Sequence, residues 1–121
     1  MIFYLKDKSG EIIATAKLSD ENSNKTRKGI LILEGSKMSK AKKETKKWVD
    51  CPWIEESRQM IIDKELCNSL NSTHYALNKD VFFSSPNRAA CALLGYITTA
   101  AWHEFVNEEG LSMHQIYREI K

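Results

Sequence analysis

The sequence predicts an α+β fold, a small antiparallel sheet built from hairpins with about three helices packed on one face. Two features of its layout lead there. β-rich runs punctuated by turn residues come first, and the clearest helix signals follow later. In addition, 121 residues with 42% hydrophobic and 28% charged side chains suit one globular domain with its own core. Residues 1–121 are therefore read as a single domain.

Ile2 to Lys6 and Glu11 to Leu18 are β-rich runs on either side of Asp7-Lys8-Ser9-Gly10, whose glycine can take the positive φ that a hairpin turn needs. Asp20 to Lys28 is polar and lacks apolar periodicity, which predicts a surface loop. Ile30 to Leu33, bounded by Gly29 and Gly35, predicts a buried central strand, and a basic flexible loop is expected over about 36–48. Pro52 at a first helical position, with Glu55 and Glu56 behind it, predicts a helix running to about Asn68. The Asn68 to Ser72 cluster breaks it. Thr73 to Leu77 and Asp80 to Ser84 then read as a second hairpin turning at Asn78-Lys79. Ser85 is the expected N-cap, Pro86 the first residue and Gly95 the C-cap of a helix through Ala89 to Leu94. Thr98 or Thr99 is expected to cap a short helix through Trp102 and Phe105, and Ser112 a last one through Ile116 and Ile120.

Charge is spread unevenly. Between Lys25 and Lys47 nine basic residues face only Glu34 and Glu44, a local net of +7 in a chain whose total is +2, which leaves the remainder at −5. Such a stretch suits a polyanion, because Lys and Arg contacts to phosphates supply most sequence-independent affinity for nucleic acid. A solvated connector that keeps the protein soluble has the same composition.

Several function classes are excluded by what the chain lacks. No apolar run approaches the roughly 20 residues of a membrane helix, and the N-terminus has no export signal. Cys51, Cys67 and Cys91 form no C-x-x-C pair, so free thiols in a cytoplasmic protein are expected rather than a disulfide framework or zinc ribbon. His74, His103 and His114 are too widely spaced to suggest a metal site, and no nucleophile elbow or phosphate-loop glycine motif is present. Lys37-Met38-Ser39-Lys40 resembles a signature loop of one class of aminoacyl-tRNA synthetases, but a chain this short cannot hold the nucleotide-binding sheet those enzymes need. No cofactor and no catalytic residue are expected, and the protein is not read as an enzyme.

Phe82-Phe83-Ser84-Ser85-Pro86-Asn87-Arg88-Ala89-Ala90 has a physical logic: a strand ends, a Ser-Pro cap starts a helix, and small residues let that helix approach the sheet. Together with Gly35-Ser36-Lys37 after a strand, Arg58 in the central helix, Trp102, and Gly110-Leu111, it resembles a bacterial domain family of unknown function over roughly residues 28–117. Asn87 stands where that family usually has a second Ser, Ala101 where it has Gly, and Phe105 where it has a second Trp. Members are often appended C-terminally to GIY-YIG nucleases, and the motif is similar to the restriction-enzyme and adenine-methylase associated domain. The resemblance implies a DNA-reading accessory module, with modified DNA among its ligands.

The candidate contacts to DNA are accordingly Lys37, Lys40, Lys42, Lys43, Lys46 and Lys47 on phosphates, Ser85 and Asn87 at the helix start, and Arg88 beside them. Trp102, with His103 nearby, could stack on an exposed base. Ser85 also fits a plain helix cap, and Trp102 with Phe105 a closing layer of core. The alternative partner is a protein, with the acidic remainder docking on or inhibiting a nuclease or another defence protein.

Overall fold

In the computed structural model, residues 1–24 and 27–117 are described, with the backbone alone for 19–24 and 27–28. The chain opens with the expected hairpin of β1 (Ile2–Lys6) and β2 (Ile12–Asn24). Its turn is tied by the Asp7 carboxylate, which accepts from the Ser9 amide at 2.9 Å, the Ser9 hydroxyl at 2.6 Å and the Glu11 amide at 3.1 Å, while Gly10 takes φ +89°. β3 (Arg27–Ile32) pairs along β2, and its Ile30 and Ile32 are fully buried as an inner strand should be. The polar stretch Asp20 to Lys28, expected to be a loop, is therefore mostly strand: β2 continues to Asn24, which pairs with Arg27. Ladder bonds belong to the main chain, so a polar sequence can extend a hairpin that its apolar part has begun. Lys25 and Thr26 lie outside the described residues.

Regular structure also enters the stretch expected to be a basic loop, as β4 (Lys37–Ser39) and the single-turn α1 (Lys46–Val49). Next come α2 (Pro52–Asp63), β5 (Cys67–Ser69), β6 (His74–Leu77), β7 (Val81–Phe83) and α3 (Pro86–Leu94). α4 (Ala101–Glu104), β8 (Phe105–Val106) and α5 (Met113–Tyr117) complete the described chain. Among the described residues all strand pairs are antiparallel and form two sheets, β7-β3-β2-β1-β8 and β4-β6-β5. The α+β class thus holds, with two sheets in place of one. Among the described residues only α2 and α3 exceed two turns.

Three further expectations are corrected. α2 stops at Asp63 rather than Asn68, since Glu65 adopts φ +57° and Cys67–Ser69 goes into the smaller sheet. No hairpin joins β6 and β7, which lie in different sheets. The Asn78 side chain donates to the Glu65 carbonyl and to Asn68, and Asp80 accepts the Glu34 amide at 2.7 Å, so the segment bridges the sheets instead of turning back. Finally, neither Thr98 nor Thr99 is the cap residue of α4. Ala100 holds that position, and the Thr98 hydroxyl donates to the Glu104 carboxylate, while Phe105 leaves the helix to pair with Leu5. Ser112 does cap α5, with Gln115 reciprocating; Ile120 lies outside the described residues.

The core lies between the larger sheet and α3. Phe3, Leu5, Ala16, Ile30, Ile32 and Phe105 point inward with no exposure, and Ala89, Ala90 and Leu93 of α3 join them. α3 has both expected caps: the Ser85 hydroxyl accepts the Arg88 amide at 3.2 Å, and Gly95 closes the helix at φ +82°. Gly95 is also closely approached, for a Cβ there would run into the Ala41 carbonyl oxygen. Among the described residues no helix is long and apolar enough to cross a membrane.

Candidate nucleic-acid interface

The basic segment is held in place by alternating side chains. Met38 is fully buried from β4, and the Lys40 amide donates to the Thr73 carbonyl at 2.9 Å. Beyond it the Lys43 amide donates to the Gly95 carbonyl at 2.7 Å, which is why the chain must pass so close to that glycine. Thr45 caps α1 through a 3.4 Å bond from the Trp48 amide, and the Trp48 indole is buried with Ile54 and Cys91 in a small second cluster. Its Nε1 donates to Glu55 at 3.0 Å.

Three of the expected phosphate contacts are committed to the fold. Lys37 pairs with Glu11 at 2.7 Å and Lys42 with Glu55 at 2.9 Å. Lys40 donates to the Ser69 hydroxyl at 2.6 Å and lies over the Tyr75 ring. Lys42 and the Trp48 indole, both donating to Glu55, hold its carboxyl below the ordinary glutamate value, Lys42 contributing most.

The other three converge. Lys43, Lys46 and Lys47 line a cleft of about 450 Å³ together with Lys8 from the first hairpin turn. Tyr96 forms a wall, its ring 4.6 Å from the Lys8 ammonium, and burial raises the phenol pKa so that it remains a donor. Thr99 adds a hydroxyl from the segment after α3. Among the described residues, Lys46 alone of the four lysines has an ion-pair partner, Asp50 at 3.3 Å, and both of those side chains are mostly exposed. Four lysines lining one opening concentrate positive charge there, which an anion with several oxygens would offset.

The helix start offers less. Pro86 has no N–H, the Arg88 amide is capped by Ser85, and the Ala89 amide donates to the Ser85 carbonyl at 3.1 Å. Asn87 accepts the Ala101 amide at 3.1 Å and so ties α3 to α4, while Arg88 stacks on the Trp53 ring at 4.6 Å. Trp102 is half-buried against the core and meets Tyr117 edge-on, and the exposed His103 ring stacks on His114 at 4.3 Å. None of Ser85, Asn87, Arg88, Trp102 and His103 lines the basic cleft.

Arg58 is the group whose role the sequence did not reveal. It is only 4% exposed, and its guanidinium donates to the Ala92 carbonyl at 2.6 Å and the Ser39 carbonyl at 2.7 Å. One side chain thus clamps α2, the last turn of α3 and β4 together, with the helix C-terminus favouring the positive charge. Burial lowers its pKa, with Glu55 opposing. The Cys91 thiol is buried and its pKa raised by that burial, which makes it a poor nucleophile. Among the described residues no group of three His, Cys, Asp or Glu side chains could hold a metal.

The fold and this geometry define a small α+β domain in which Lys37, Lys40 and Lys42 are engaged by neighbouring side chains and Lys8, Lys43, Lys46 and Lys47 line an open basic cleft. Residues 12–117 match the family described as a domain of unknown function, DUF4357, and the chain belongs to that family. No curated protein and no solved structure matches the chain.

Proposed function

We propose that the protein is a non-enzymatic, cytoplasmic recognition module that binds DNA through the cleft of Lys8, Lys43, Lys46 and Lys47. The observation that supports it is the gathering of these four lysines, from two distant parts of the chain, around one opening beside Tyr96. A cluster of like charge that packs little of its own surface is a natural place for phosphates. The resemblance of the Ser85 to Leu94 block to domains appended to GIY-YIG nucleases, and to the restriction-enzyme and adenine-methylase associated domain, agrees with this reading. It also adds modified DNA as a ligand to try. The alternative is docking on a nuclease or other defence protein through acidic surface: Glu11, Asp50 and Glu55 are paired with lysines, whereas Glu56, Asp63, Glu65, Glu108 and Glu109 are exposed and available to such a partner.

The test is binding of fluorescent duplex DNA, with and without adenine methylation, across a salt series. The wild type is expected to lose affinity steeply with salt. The Lys43→Gln, Lys46→Gln, Lys47→Gln triple variant should show a slope shallower by about 2 to 3 units, near 0.9 for each phosphate that a lysine no longer neutralises. Absence of binding at low salt would sink the reading, and an unchanged slope would move the phosphates off the cleft.

A further inference from the structure

The larger sheet has a second face that no described helix covers. Side chains alternate along a strand, so the register that turns Ile30, Ile32, Phe83 and Phe105 toward α3 turns their neighbours outward. Phe82, Leu31, Lys17 and Ile2 form one outward row across four strands, and Thr15, Tyr4 and Val106 the next. Phe82 is 55% exposed, and Tyr4, Leu31, Ile2 and Val106 are partly exposed without packing on the core. The Phe82 ring lies against Gly29, where a Cβ would strike the ring edge, so the sheet supports one side of the ring and the other is left to solvent.

Charge decides what this face would accept. Lys17 stands in the middle of its row and Lys6 at the end of β1; both are exposed, and neither has an ion-pair partner among the described residues, while the Glu108 carboxylate lies at the β8 edge, where it accepts from the Tyr4 hydroxyl at 3.5 Å. A second copy of the chain packed on this face would trap Lys17 in an apolar contact, which is costly without a counter-charge. Unpaired bases fit both features at once, since every base can stack on an aromatic ring while its phosphate meets a lysine.

We propose that this face binds single-stranded nucleic acid, with Phe82 and Tyr4 as stacking platforms and Lys17 and Lys6 on the phosphates. The proposal rests on the nucleic-acid reading of the basic cleft, which begins at Lys8, two residues beyond Lys6. β7 and β1 are three strand spacings apart, about 14 Å, so the two rings would hold bases that are not adjacent.

The experiment compares a twelve-nucleotide oligothymidine with a DNA duplex, using fluorescence anisotropy on the full chain. Phe82→Leu and Tyr4→Leu keep apolar bulk and remove the ring, and thermal melts show whether each variant is folded. Each is expected to weaken oligothymidine binding about tenfold and duplex binding less than twofold, whereas the cleft triple variant weakens both. Photocrosslinking of iodouridine-substituted oligomer to the wild type, with labelled peptides containing Phe82 or Tyr4, would support the same placement without any variant. Ring-deleted proteins that bind oligothymidine like the wild type, while the cleft variant does not, would overturn this face and leave the cleft reading standing. Wild-type protein that binds neither probe would overturn both. A dimer in sedimentation that Phe82→Leu dissociates would overturn it in favour of self-association.

Discussion

Arg58 and the lysines of the cleft carry the same charge under opposite conditions. Arg58 is enclosed by α2, α3 and β4, and its planar fork donates to two carbonyl oxygens from different elements. Lys43, Lys46 and Lys47 are exposed around the cleft, and among the described residues Lys46 alone of the three has an ion-pair partner, the exposed Asp50. The contrast shows why net charge along a sequence is a poor guide to function. A cation whose donors are met inside the fold is structural, and only the cations left over can serve a ligand. Lys37, Lys40 and Lys42 fall between, at the surface yet each engaged by a neighbour.

The largest expected effect comes from removing the enclosed charge. Arg58→Met keeps apolar volume but leaves the Ala92 and Ser39 carbonyls without their donor, at about 1 to 3 kcal/mol for each buried acceptor. We expect a loss of roughly 3 kcal/mol, or a Tm lower by about 10 °C, while Arg58→Lys, which cannot span both oxygens, recovers only part of it. Thermal and urea unfolding measure both. A Met variant as stable as the wild type would erase the distinction between the two regions.

That distinction was only partly legible in the sequence. Signals confined to a few neighbours were readable: the Asp7 to Gly10 turn, the apolar Ile30 to Leu33 run, and α3 between Ser85 and Gly95. What depended on partners far along the chain was not. The burial of Arg58 requires Ser39 and Ala92, and the bridging of the sheets by Asn78 and Asp80 requires Glu65, Asn68 and Glu34. The candidate site divided the same way. Lys43, Lys46 and Lys47 stood out by density, but Lys8 read as a turn residue and Tyr96 as chain beyond a helix, because only the tertiary fold brings them to the cleft. One signal was present and unread: Trp48, an indole three residues after a capping Thr inside a lysine-rich run, marks where that run is anchored.

A smaller effect should sharpen the boundary between the two kinds of lysine. Glu55 has its pKa held down in the folded protein, first by the hydrogen bond from Lys42 and then by the Trp48 indole. A carboxylate with a depressed folded pKa contributes stability that is fully present above the unfolded value, 4.5, and is lost as pH falls through the lower folded value. Since the pair is more than a third exposed, solvent screening keeps the contribution to about 0.2 to 1 kcal/mol. Glu55→Gln should therefore lower Tm modestly at pH 7 and flatten its decline below pH 4.5. Parallel curves for the two proteins would mean that Lys42 is as loosely held as the cleft lysines.

The smallest effect on stability belongs to the cleft, and its sign is informative. Lys8, Lys43, Lys46 and Lys47 share one opening, so changing Lys43, Lys46 and Lys47 to Gln removes repulsion and few favourable interactions. The triple variant should match the wild type within about 0.5 kcal/mol, with any gain appearing at low salt and vanishing as screening shortens the reach of the charges to about 8 Å near 0.15 M. A bound polyanion should reverse the order. Inorganic tripolyphosphate, if the folded cluster binds it better than the unfolded chain does, should raise the wild-type Tm by mass action and leave the variant unmoved. If both proteins respond alike, the anion is reading exposed lysines in general, and the convergence at the cleft has no binding consequence. If the wild type alone responds, the lysines that the fold gathers at the cleft are the ones that a phosphate chain finds.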